Sequence, residues 1–222
     1  MNRKKIIPAV FGQTYSEIER QLKILEGHTE WAHLDVTDGR FTSFASWPED
    51  PSDSSTFEVL RFLGGQTKIE VHLMVEEPEL IISDWSEVVD RIIVHQEATE
   101  GLKEIIGALA PSVIRVGVAL LLPTSIEMLK PYFSKIDLVQ LMSIAEIGAQ
   151  GQPFNERVLE KVKHLRALAP NVTIQIDGGV NLEIMQLALM AGVDNLVVGS
   201  AIWKTPEPIV SLKNFQSLLP ES

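Results

Sequence analysis

A closed barrel of eight parallel strands, each followed by a helix, is the fold this sequence predicts. Eight short apolar runs rich in Val and Ile recur along the chain, and stretches with helical spacing separate them. Runs of that kind suit strands buried on both faces and covered by helices. The 222 residues fit one α/β domain better than two, so a single domain over 1–222 is expected. The chain falls a little under the roughly 250 residues usual for a (β/α)8 barrel.

The strands are expected at 4–10, 31–36, 67–75, 91–95, 112–120, 136–142, 171–177 and 195–200. Helices are expected at 14–26, 55–64, 78–88, 99–109, 124–132, 155–168 and 182–191, with a last one near 208–218. Pro78 suits a helix start, Gly192 suits a helix stop, and Pro111 separates a helix from the next strand. One long irregular segment, RFTSFASWPEDPSDSS at 40–55, reads as a loop from its Pro, Ser and Asp content. Its Phe41, Phe44 and Trp47 suit packing over the barrel rim, covering a ligand pocket, or both.

Apolar residues make up 45% of the chain and charged residues 22%, the balance of an ordinary globular protein. The absence of cysteine excludes disulfides, a thiolate nucleophile and thiolate metal ligands. A formal charge of -11 disfavours nonspecific binding to nucleic acid or to an anionic membrane surface. A small phosphorylated ligand stays compatible, because backbone N–H groups can cradle a phosphate without net positive charge. The basic start MNRKK precedes an apolar run too short for a signal peptide or a membrane span, so a cytoplasmic location is expected.

His33 and Asp35 lie two apart in the second expected strand and therefore share a face. His72 falls near the end of the third strand and Asp177 at the end of the seventh. Strand ends of a closed barrel face one mouth, so two imidazoles and two carboxylates can converge there as nitrogen and oxygen ligands for one divalent ion, Zn, Mn or Fe. Taken singly, either histidine suits an ordinary hydrogen-bonded structural role. Asp38 before Gly39 reads as a turn residue, and His95 with Glu97 as support for the site rather than as ligands.

Glycines mark the same end. Gly178 and Gly179 follow the seventh strand, and Gly199 and Ser200 follow the eighth, where barrels of this type frequently bind phosphate through backbone N–H donors. Gly148 and Gly151, in EIGAQGQPF at 146–154, can close over the same anion.

In order along nearly the whole chain, HLDVTDGRF at 33–41, VHLMV at 71–75, VHQEAT at 94–99, GVAL at 117–120, GQPF at 151–154, IDGGVN at 176–181 and VVGSAIW at 197–203 resemble the ribulose-phosphate 3-epimerase family. The resemblance implies a barrel of the ribulose-phosphate-binding type. It makes His33, Asp35, His72 and Asp177 the metal ligands, with Asp35 and Asp177 also the acid/base pair. It further implies Met74 and Met142 in the substrate wall, a sugar-phosphate substrate such as D-ribulose 5-phosphate, and self-association into a homo-oligomer.

Departures from the family pattern cluster in that wall and at the rim. Ala9 stands where the family has serine, and Thr37 where it has a third methionine. The loop after the sixth strand reads AEIGAQGQ at 145–152, with an acidic Glu146, and TSFASWPED follows Phe41. Epimerisation at C3 of a pentulose 5-phosphate is the leading expectation, a hexulose 6-phosphate is the second substrate, and a noncatalytic sugar-phosphate binding protein is the alternative of another class. A decarboxylase or aldolase reading would need a strand-end lysine, a context that Lys68 and Lys130 lack.

Overall fold

A computed structural model describes residues 4–52, 60, 65–148 and 151–220. Its eight strands are β1 (Lys5–Val10), β2 (Trp31–Thr37), β3 (Lys68–Met74), β4 (Arg91–His95), β5 (Arg115–Leu120), β6 (Leu138–Met142), β7 (Thr173–Asp177) and β8 (Asn195–Val198). All neighbours pair in parallel in chain order and β8 returns to β1, closing the barrel. The expected fold class is the observed one. Around it run α1 (Tyr15–Leu25), α2 (Ile82–Trp85), α3 (Leu102–Leu109), α4 (Arg157–Leu168), α5 (Leu182–Ala191), α6 (Ser200–Trp203) and α7 (Pro208–Ser217).

Local chemistry explains several boundaries. Thr14 caps α1, and Glu17 reaches back to the cap backbone, a reciprocal arrangement that satisfies otherwise unpaired N–H groups. Asn181 caps α5 by accepting from the Ile184 N–H, and Gly192 ends it with a φ of 106°, where a β-carbon would be strained. Two expected helices are tighter and shorter than the spacing suggests. The stretch at 124–132 is a 3-10 helix, Ile126–Tyr132, with Pro131 inside it, and proline has no N–H to continue an α-helical ladder. The stretch at 78–88 divides into a 3-10 turn, Pro78–Leu80, and α2. The helix expected at 55–64 lies outside the described residues except for Leu60, which is buried.

Alternation along the strands separates two interiors. Val10, Leu34, Val36, Val71, Leu73, Ile92, Val94, Val118, Leu141, Ile176 and Leu196 belong to the continuous apolar core shared with the helices. The alternate positions fill the barrel, and many of these are polar: His33, Glu70, His72, Arg91, His95, Gln140, Gln175 and Asn195 are all buried. Branched apolar residues dominate barrel interiors in general. Here a hydrogen-bonded polar column replaces much of that packing. It runs through Asn195 Nδ2 to Gln175 Oε1 at 3.1 Å, and through Gln175 Nε2 to Gln140 Oε1 at 2.8 Å and to Glu70 Oε1 at 2.7 Å.

Candidate metal centre

Register sets the site. Asp35 pairs directly with His72 between β2 and β3, and Asp177 ends β7 opposite Met142 of β6. Ligand atoms of His33, Asp35, His72 and Asp177 all lie within 4.8 Å of one another, and the four side chains are buried or nearly so. The described structure therefore contains a buried cluster of two histidines and two aspartates capable of coordinating a divalent metal ion.

Hydrogen bonds show which nitrogens face the cleft. His33 Nδ1 lies 2.7 Å from Glu70 Oε1, on the side away from the aspartates. Its Nε2, 3.3 Å from Asp35 Oδ1 and 3.8 Å from Asp177 Oδ2, is buried without a hydrogen-bond partner among the described residues. On His72 the other nitrogen faces the cleft: Nδ1 is 3.0 Å from Asp35 Oδ1 and 3.6 Å from Asp177 Oδ2. Its Nε2 is 2.9 Å from His95 Nε2, and His95 Nδ1 is 3.2 Å from Glu97 Oε2. An ionised carboxylate only accepts, so His95 donates from Nδ1, accepts at Nε2 from His72, and leaves the His72 Nδ1 lone pair toward Asp35. A lone pair and a carboxylate oxygen at that separation repel unless a cation lies near both. The orphaned His33 nitrogen and this donor set fit a metal ion.

The electrostatics divide the aspartates. Burial raises the Asp35 carboxyl, but the charge of the neighbouring His33 imidazole outweighs it and holds Asp35 well below the usual carboxylate range. Burial, reinforced by the charge of Asp35, pushes Asp177 up to about 7. Burial works against a charged His33, yet Asp35 and Glu70 keep that imidazole well above its ordinary value. Burial also lowers His72, and it takes His95 down to about 4, so this second pair is neutral at physiological pH.

Above the aspartates opens a cavity of about 60 Å³. Asp35, Asp177, Ala9, Met74, Met142, Gly148, Gly151, Gly178, Gly179, Gly199 and Ser200 line it, which brings most of the sequence-selected residues together. Thr37 sits apart from that lining, fully buried, with its hydroxyl lacking a partner among the described residues. The aromatic loop divides: Phe41 packs on the His95 ring at 5.1 Å, Trp47 leans on Tyr15 at 5.8 Å, and Phe44 is exposed. Glu146 is exposed, and Arg40 pairs with Glu76 rather than with it. Lys68 begins β3, at the end of that strand away from the site, and Lys130 pairs with Glu127.

Gly178 and Gly179 have φ angles of 114° and 66°, which glycine alone adopts readily. A β-carbon on Gly179 would lie 2.6 Å from the Phe154 backbone nitrogen, so the loops after β6 and β7 close on one another there. Sequence reasoning missed Glu70, Gln140 and Gln175. Each is a lone polar residue interrupting an apolar strand run, Glu70 two before His72 and Gln175 two before Asp177, and that interruption was the available signal.

A (β/α)8 barrel with a two-histidine, two-aspartate cluster at the C-terminal mouth of its strands defines a class of candidate metal-dependent enzymes. The model of the ribulose-phosphate 3 epimerase family matches residues 5–203, and the chain belongs to that family. It is 30% identical over 217 residues to the ribulose-phosphate 3-epimerase of Schizosaccharomyces pombe, covering 95% of this chain and 92% of that one. It is 31% identical over 206 residues to the enzyme of the same name from Bacillus subtilis, covering 90% and 92%. Among solved structures, orotidine 5'-monophosphate decarboxylase from Sulfolobus solfataricus has the same fold, with a TM-score of 0.64, 16% identity and 97% of each chain covered. KGPDC from Streptococcus mutans shares it too, with a TM-score of 0.70, 14% identity and 98% and 97% covered. Among the described residues, no helix is long and apolar enough to cross a membrane.

Proposed function

We propose that this protein inverts C3 of a ketose phosphate, with D-ribulose 5-phosphate and D-xylulose 5-phosphate as the pair to test first. The observation that carries the reading is the pair of buried aspartates, Asp35 and Asp177, that come together beside His33 and His72 and line one cavity. Inversion needs a base on one face of C3 and an acid on the other. Asp35 takes the C3 proton onto its free carboxylate oxygen, and Asp177 delivers its own proton to the opposite face. The reverse reaction exchanges the roles, so the two carboxyls titrate as a pair. A divalent ion held by His33, Asp35, His72 and Asp177 would polarise the C2 carbonyl and stabilise the charge that develops when C3 is deprotonated. Met74 and Met142 supply an apolar wall that keeps water from the carbanionic carbon.

Gly178, Gly179, Gly199 and Ser200 form the rim that we assign to the phosphate, with Gly148 and Gly151 closing from the β6 side. A purely binding role would not call for two carboxylates of opposite protonation beside one carbon. The test compares kcat/KM on ribulose 5-phosphate, a hexulose 6-phosphate and unphosphorylated ribulose. A preference of about a hundredfold or more for the phosphorylated pentulose is expected, on the order of two charge-assisted contacts. Turnover of none of the three by metal-loaded protein would refute the reading.

A further inference from the structure

His33 must present one particular nitrogen to the aspartates, and nothing in its own strand decides which. The decision lies beneath it. Glu70 is fully buried, and its Oε1 lies 2.7 Å from His33 Nδ1 and accepts from Gln175 Nε2 at 2.7 Å. Its Oε2 is held by Arg91 Nη1. Arg91 in turn stacks on the Trp31 ring, with its guanidinium carbon 4.3 Å from the ring centroid. A column of Trp31, Arg91, Glu70 and His33 therefore rises through the barrel to the site.

We propose that Glu70 is a positioning residue for the reaction: by accepting the Nδ1 proton of His33 it fixes the ring so that Nε2 is the nitrogen offered to the cleft between Asp35 and Asp177. This rests on the metal-site reading above. Both oxygens of Glu70 already face donors, and an ionised carboxylate has no proton to give, so Nδ1 keeps its proton and Nε2 is the nitrogen able to release one to a metal ion. A carboxylate behind a ligating imidazole fixes the ring's tautomer and direction and makes the other nitrogen a better donor. Arg91 and Gln175 keep the carboxylate from turning away. The orphaned Nε2 is what this arrangement leaves over.

Glu70→Gln makes the sharpest test, because an amide has one donor end. Its NH2 group would face either the Arg91 guanidinium or His33 and Gln175. Repulsion from the guanidinium turns it toward His33, where it occupies Nδ1 and drives the proton to Nε2, capping the donor. Titration of metal-free protein with Zn(II) and with Mn(II) should show one site in the unsubstituted protein and a dissociation constant roughly 10–100-fold weaker in Glu70→Gln. Glu70→Asp, which keeps the carboxylate, should recover part of the loss. A purely structural Glu70 would lower the melting temperature of the variant and leave its metal affinity unchanged, and that result would overturn the proposal.

If the glutamine variant fails to fold, the unsubstituted Zn(II) protein labelled with 15N-histidine decides. The proposal requires a far-downfield, exchange-protected Nδ1–H on His33, and a proton on Nε2 instead would refute it. Should the unsubstituted protein bind neither metal, the metal-site reading fails together with this one. Tight binding that Glu70→Gln leaves intact removes the Glu70 assignment alone.

Discussion

The floor and the rim of the barrel mouth are built differently. The floor, from β2, β3, β4 and β7, places His33, Asp35, His72, His95 and Asp177 on paired strands whose register leaves no freedom, and buried polar partners hold the side chains. The rim comes from the loops after β6, β7 and β8, and the first two of these are shaped by glycines at positive φ and by backbone close approach. Strand geometry is over-determined by its neighbours, whereas a loop tolerates substitution as long as its ends stay in place. The departures at 145–152 fall on such a loop, whereas Ala9 and Thr37 stand near the C-terminal ends of β1 and β2. On the proposed reading the floor sets the reaction class, and the rim and wall set the choice of sugar.

The largest expected effects lie on the floor. Asp35→Asn and Asp177→Asn each remove a proton carrier and should lower kcat by about 10³-fold or more while the folded far-UV signal persists. Stopped or steady-state assays of both variants check this, and a tenfold loss in either would place the chemistry elsewhere. Rim substitution should act differently. Gly179→Ala puts a β-carbon 2.6 Å from the Phe154 nitrogen at a φ of 66°, a strain of about 1–3 kcal/mol. It should raise KM for the phosphorylated sugar by about tenfold and change kcat less, and an equal loss on unphosphorylated ribulose would show that the loop does not read the phosphate.

A smaller effect concerns acid stability. Burial raises the Glu97 carboxyl, but His95, Thr124 and the Leu121 N–H outweigh it, taking Glu97 from an ordinary 4.5 to about 2. A depressed carboxylate stabilises the fold above its unfolded value, and the contribution disappears as pH falls from about 4.5 toward 2. Glu97→Gln should therefore be less stable at neutral pH, with the gap to the unsubstituted protein closing through that window in chemical denaturation. The smallest effect belongs to Thr37. Its buried hydroxyl has no partner among the described residues, which costs stability, so Thr37→Val should gain about 1 kcal/mol in thermal melts. A KM that rises in the same variant would make the hydroxyl a substrate contact.

The sequence displays the floor more openly than its supports. His33 and Asp35 announce a shared face by their spacing, the strand at 91–95 and the helix at 182–191 match the observed elements, and the glycine pairs fall at the lining of the cavity. Parallel strands buried on both sides read as nearly continuous apolar runs, which conceals which alternate positions point inward. Glu70, Gln140 and Gln175 were therefore visible as interruptions but not as a network, because their partners lie on different strands, far apart in sequence. The helix at 124–132 misled for another reason: its apolar spacing is real, but Pro131 tightens it into a 3-10 form.

The central claim is that Asp35 and Asp177 move a proton on and off C3. Metal-loaded protein incubated in deuterated water with D-ribulose 5-phosphate reads that step directly by proton NMR. Deuterium should enter at C3 as xylulose 5-phosphate appears, and both signals should vanish in Asp35→Asn and Asp177→Asn. Protein loaded with Zn, Mn or Fe that leaves the C3 proton in place, or variants that still exchange it at the unsubstituted rate, would contradict the account.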